Sequence, residues 1–239
     1  MDSLRHRLRP LAATTSTSFM SKLIADISIS LDGYVAGPNP SMEHPLGIGG
    51  EELHSWAVGT RTFQKRHGRE SGETGLDDDV MGEMFADAGA SIMGRKMFSG
   101  GEGSWEGDSN SNGWWGDQPP FGMPVFVLTH HERQPLKLGD TQFTFVTDGT
   151  TSALKQARAA AGKRTVVIGG GAEAIQQYLH ANLVDELRLH IAPVMLGSGR
   201  RLFDNHAAET PEHWRRVSAL ESPSGVVHLK YAKADQAKQ

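Results

Sequence analysis

Cysteine is absent from all 239 residues. That rules out a disulfide framework, an Fe–S cluster and a thiolate zinc site, and it makes a reducing compartment, the cytoplasm, the expectation. No stretch reaches the roughly 18 to 20 apolar residues a membrane-spanning helix needs, so no membrane partner is expected. Basic charge is not in excess either. With 24 Lys and Arg against 28 Asp and Glu, and a net charge of -4, there is no electrostatic basis for a nucleic-acid partner. Histidine never takes HExxH spacing: His130-His131-Glu132 closes a strand and the others are scattered, so no metal is expected.

Residues 1–19 carry Arg5, Arg7 and Arg9 ahead of a Ser/Thr-rich run. This is transit-peptide composition, equally that of a disordered extension or of a start upstream of Met20, and it is set apart from the fold. Residues 20–239 read as a single domain. "KLIADISISLDGYVAG" is a strand of about eight residues closed by Asp32-Gly33. Residues 38–50 read as a loop and "EELHSWAVGTRTFQKR" as a helix with Glu51 and Glu52 at its start. "LDDDVMGEMFADAG" has helical apolar spacing, with Asp77, Asp78 and Asp79 as its N-terminal cap.

Strands follow at "ASIMG", "PVFVLTHHE", "FTFVTD", "TVVIGGG" and "DELRLHIAPVML", interleaved with the helices "TSALKQARAAAG" and "AEAIQQYLHANL". The alternation predicts right-handed crossovers and a three-layer α/β/α fold with a mostly parallel central sheet. Two period-2 runs around Ser222–Gly225 predict a C-terminal antiparallel hairpin at a sheet edge. Between Ser99 and Pro120 lies a long aperiodic stretch holding Trp105, Trp114 and Trp115, three of the five tryptophans. Loops of that length in a compact domain usually serve function.

The strand "TVVI" feeds Gly169, Gly170 and Gly171 onto a helix start, where unpaired amides and a positive dipole suit a pyrophosphate. A tight packing turn would use the same residues. Gly169, Gly171 and Ala174 match G-x-G-x-x-G/A, yet the next strand begins with Asp185-Glu186 and nothing acidic closes it, which argues against a Rossmann unit. No P-loop motif occurs.

"IMGRKMF", "VFVLTHHE" and "VVIGGGAEAIQQYL", in this order and at about this spacing, resemble the dihydrofolate reductase-like superfamily. "SISLDGYVAG" and "LVDELRLHIAPVMLGSGRRLF" are similar to its branch containing the C-terminal reductase domain of the riboflavin-biosynthesis deaminase/reductase. The resemblance implies NADPH lying across the carboxyl ends of the strands. Gly94, Arg95, Lys96 and Met97 would then meet the cofactor phosphates, although a solvated basic turn would look the same. Leu128, Thr129 and His130 would pass the adenosine ribose, with His130 departing from the family's usual Ser-Arg pair. Gly169, Gly170, Gly171, Ala172 and Glu173 would cradle the pyrophosphate, Glu173 pointing outward, and Ile175 would lie near the nicotinamide ribose.

For chemistry the resemblance offers Asp32 over the nicotinamide, and a turn carboxylate capping backbone amides is the equal alternative. Trp105 and Trp115 would stack on a flat substrate, or pack on the sheet or a second subunit. Arg200, beside Arg201, would hold an anionic substrate group or remain a surface arginine. No acid aligns with the pterin-binding acid of dihydrofolate reductase, since Glu51 and Glu52 read as helix-start residues. The implied activity is therefore hydride transfer from NADPH to a small pterin-, pyrimidine- or flavin-precursor-like heterocycle. A free-standing 5-amino-6-(5-phosphoribosylamino)uracil reductase and a non-catalytic nucleotide-binding protein are the alternatives, and a homodimer is expected.

Overall fold

The computed structural model describes residues 21–41, 43–100, 103–106, 112–204 and 212–234. The segment 1–19 set apart above lies outside them. The chain opens with β1 (Leu23–Ser30) and β2 (Tyr34–Ala36), then a 3-10 turn (Gly50–His54) that runs into α1 (Ser55–Val58). Next come α2 (Arg61–Arg66), α3 (Leu76–Ala86), β3 (Ala88–Gly94), α4 (Arg95–Ser99), β4 (Pro124–Leu128), β5 (Leu136–Leu138) and β6 (Thr141–Val146). The second half holds α5 (Thr150–Ala161), β7 (Thr165–Ile168), α6 (Ala172–His180), β8 (Glu186–Ala192), β9 (Arg200–Arg201), β10 (Trp214–Glu221) and β11 (Val227–Lys233).

Among the described residues, nine strands form one sheet in the order β10-β11-β8-β1-β7-β3-β4-β6-β5. From β8 across to β6 the pairings are parallel, and β11, β10 and β5 join antiparallel at the two edges. The three-layer α/β/α architecture and the C-terminal hairpin are as the sequence predicts. Odd positions of β1, with Ala90, Ile92, Val166 and Ile168, form the main core beneath α5 and α6. The opposite face is covered by α1 and α3 near β8, and by aromatic residues from 105 to 121 over β3, β4 and β6. No described helix is long and apolar enough to cross a membrane.

Two local expectations fail for identifiable reasons. The helix predicted over "EELHSWAVGTRTFQKR" is three pieces, because Gly59 ends α1 and Thr60 starts α2 by accepting the Phe63 N–H on its own hydroxyl. A capping side chain restarts the helix more favourably than Gly59 can continue it. The three aspartates do not cap α3 either. Gly75 occupies the cap, while Asp78 accepts the Thr62 N–H at 2.7 Å and Asp77 accepts from His228 at 2.8 Å.

Candidate active site

β7 lies between β1 and β3, and its apolar run, buried on both faces, ends at Gly169–Gly171 and α6. The Gly170–Gly171 peptide is cis. Gly94, closing β3, donates its N–H to the Gly170 carbonyl at 3.0 Å, so two of the motifs that carry the family resemblance meet at one point. Gly170 has φ 133°, a left-handed value that glycine adopts freely, and a Cβ there would sit 3.3 Å from Met97 Sδ. Gly171 differs: a Cβ added to it would meet nothing within 4 Å. Intrahelical bonds of α6 begin with the Ala174 and Ile175 amides donating to Gly171 O, so the Ala172 and Glu173 amides stand at the start of the helix, at its positive end.

The charged residues around this start are arranged differently from the expectation. Glu173 is exposed, as predicted, and bracketed by cations: Lys96 Nζ at 3.8 Å and Arg200 at 3.3 Å. Its carboxylate is thereby compensated rather than left facing the cradle. Arg95, expected to meet a phosphate, is instead buried, bonded to Ser99, with its guanidinium 3.5 Å over the Trp105 ring. The reason is the neighbouring aromatic cluster, which offers a planar cation a stacking face. Ile175 is wholly buried in the core beneath α6 and has no surface to offer a ribose, a correction dictated by the apolar stripe of its own helix. Leu128 is half-buried, Thr129 is buried with its hydroxyl accepting the His131 N–H, and His130 is exposed at the end of β4.

Asp32 sits in the turn after β1. Its carboxylate accepts the Ser30 hydroxyl at 2.6 Å and the amides of Leu196 and Gly197 at 3.1 and 2.7 Å. The Ser30 hydroxyl above all, then those amides, holds the carboxyl down at about 2. Asp32 is thus a fixed anion that ties the 195–199 loop to the end of β1. Beyond that loop β9 pairs with β2, Arg201 lies over the Tyr34 ring at 4.5 Å, and Gln176 of α6 donates to the carbonyls of Arg201 and Leu202. These links bring Asp32, Arg200, Glu173 and the glycines to the same end of the sheet.

The tryptophans belong to the fold. Trp105 packs edge-on against Phe98 and Phe145 and donates Nε1–H to His131 O; Trp115 packs against Phe121. Both lie partly buried in the cluster over β3, β4 and β6, the arrangement the packing alternative describes.

Sequence reasoning passed over a buried polar row. Asp26 and Ser28 on β1, His190 on β8 and His228 on β11 share the face beneath Trp56, each under a tenth exposed. A signal existed: "ADISIS" alternates, although a central strand of a parallel sheet covered on both faces should be apolar throughout.

The fold is that of the dihydrofolate reductase-like superfamily, and the chain belongs to the RibD C-terminal domain family, whose model matches residues 21–228. Among curated proteins it is 24% identical over 216 residues to the uncharacterised protein YyaP of Bacillus subtilis, covering 88% of this chain and 94% of that one. A crystal structure of a protein assigned by name to riboflavin biosynthesis, from Shewanella sp. PV-4, superimposes with a TM-score of 0.59 at 19% identity, covering 89% of this chain and 99% of that one. The diaminohydroxyphosphoribosylaminopyrimidine deaminase/5-amino-6-(5-phosphoribosylamino)uracil reductase of Thermotoga maritima gives a TM-score of 0.53 at 12% identity, covering 90% of this chain and 57% of that longer one.

Proposed function

We propose that this protein is an NADPH-dependent reductase that passes a hydride to a small pterin-, pyrimidine- or flavin-precursor-like heterocycle. One observation carries the reading: the open space in front of Gly171, at a helix start where the "MGRK" and "IGGG" segments are hydrogen-bonded to each other. Backbone amides and glycines there suit a pyrophosphate, with Gly169, Gly170, Gly171, Ala172 and Glu173 forming the cradle. Lys96, within reach of Glu173, is the side chain placed to exchange that carboxylate for a phosphate. Thr129 and His130 at the end of β4 are assigned to the adenosine ribose, and Arg200 to an anionic substrate group. The nicotinamide supplies the hydride when bound; the protein has to position it and keep water out. Asp32 contributes as the anion that fixes the 195–199 loop, since a carboxyl held near 2 is not a proton donor at neutral pH.

The family match favours a specific form of this reading, a free-standing 5-amino-6-(5-phosphoribosylamino)uracil reductase. That activity is named for the Thermotoga protein, of which this chain spans little more than half. A homodimer is part of the proposal and predicts, in light scattering, a particle of twice the 25.9 kDa chain. Deuteride transfer from stereospecifically labelled NADPH, across a panel of phosphoribosylated pyrimidines, pterins and folates, tests the activity. Label in a reduced pyrimidine product supports the riboflavin form. Label in no product, alongside tight NADPH binding, favours a nucleotide-binding protein without turnover.

A further inference from the structure

The row beneath Trp56 is a continuous hydrogen-bonded chain. Asp77 Oδ1 lies 2.8 Å from His228 Nε2, the Nδ1 atoms of His228 and His190 are 2.7 Å apart, and His190 Nε2 is 2.9 Å from Asp26 Oδ1. Both rings contact Trp56, at centroid distances of 4.7 and 4.8 Å, which fixes them in register. Each carboxylate accepts the Nε2–H of its own histidine, so only the two Nδ1 atoms remain to face each other. Bare nitrogen lone pairs do not approach to 2.7 Å; the contact is a hydrogen bond when one Nδ1 is protonated and that ring is an imidazolium. With that proton in place the chain would hold one cation between two anions.

We propose that these four residues form a buried proton store, one proton shared between His190 and His228, that serves the reduction. The need for a proton rests on the reductase reading above; the store itself does not. Delivery is a two-bond shift: His228 Nδ1–H passes to His190 Nδ1 as His190 Nε2–H passes to Asp26 Oδ1. The imidazolium becomes neutral, Asp26 becomes a carboxylic acid, and no net charge changes. Ser28 and Ser30 continue the same face of β1 to the Asp32 turn, at the end of the strand where the cradle lies. At the other end Asp77 lines a cavity of about 470 Å³ together with Trp56, Thr60, Glu73 and Ser224, where the store exchanges with solvent.

Other charges facing the chain are Arg188, 3.9 Å from Asp26 and 2.7 Å from Glu186, with Glu83 paired to both Arg188 and Lys230. His54 approaches from the 3-10 turn, and burial pushes its ring toward the neutral form. Burial does the same to His228, while Asp77 pulls that ring the other way. The carboxylates of Asp26 and Asp77 are each bonded to one of the rings.

The test is ring-nitrogen NMR of the full 15N-labelled chain across the neutral pH range, comparing wild type with His228→Gln and Asp77→Asn. The expected spectrum has one histidine protonated on both nitrogens, a far-downfield, slowly exchanging Nδ1 proton, and both rings titrating in a single step. Asp77→Asn, which keeps the shape but removes an anion, should move that step down by about one pH unit. His228→Gln should abolish the downfield proton. Two rings titrating independently as neutral tautomers, or a step that Asp77→Asn leaves in place, would overturn the store. If His228→Gln does not fold, the Asp77→Asn shift alone decides. NADPH binding is read separately: a normal NMR signature with no NADPH binding would remove the reductase reading and leave the store standing.

Discussion

Asp32 shows how one residue's partners decide its role. "LDG" is compatible with a catalytic carboxylate and with a turn cap, and the amides that a cap needs come from Leu196 and Gly197, far along the chain. A lowered carboxyl pKa stabilises the fold above the unfolded value, and the effect is lost as pH falls through the folded value. For Asp32 that window runs from the ordinary 3.8 down to about 2. Asp32→Asn is therefore expected to be less stable than wild type at neutral pH, with the difference shrinking as urea melts are repeated from pH 4 toward pH 2. A gap unchanged over that range would mean the carboxylate is not what holds the loop. Ile175 and Arg95 carry the same lesson: motif and spacing placed them at the right turn, but burial, which depends on the neighbouring helix and the aromatic cluster, is not a local property of the motif.

At the scale of elements, strands were the legible part. β3, β4 and β7 are apolar runs and β1, β6 and β8 alternating ones, and their order in the chain, interleaved with helices, points to a parallel sheet. β5 and the β2–β9 pair were missed because two or three residues show no period. The helices facing β8 were misjudged where a hydroxyl competes with helix continuation, as at Thr60. The tryptophan segment, without periodicity, showed its purpose only once Arg95, Phe98 and Phe145 were seen around Trp105. Trp105→Ala should therefore lower stability by about 2 to 3 kcal/mol, toward the low end for a large aromatic because the ring is half-buried. Chemical denaturation measures this. A variant of unchanged stability with weakened substrate binding would favour the stacking role instead.

Across the whole molecule, the sheet brings the carboxyl ends of β1, β3, β4 and β7 together, and the sequence motifs that resemble a dinucleotide reductase all fall there. The buried row of Asp26, His190 and His228 lies on three strands, with Asp26 and His190 bonded across 164 residues of chain, a juxtaposition that no local pattern announces. The central claim is the cofactor cradle, and Gly171 isolates it. Its φ of -71° is ordinary and a Cβ has open space, so Gly171→Ala should leave stability within about 0.5 kcal/mol of wild type. The same methyl group would stand in the space that the proposed cradle assigns to the pyrophosphate. Thermal melting with free NADPH at about 100 times its dissociation constant is expected to stabilise the wild type by about 2.7 kcal/mol, raising Tm by roughly 5 to 10 °C. The account predicts that rise for the wild type and a much smaller one for Gly171→Ala. A wild-type Tm indifferent to NADPH, or a Gly171→Ala protein that responds equally, would contradict it.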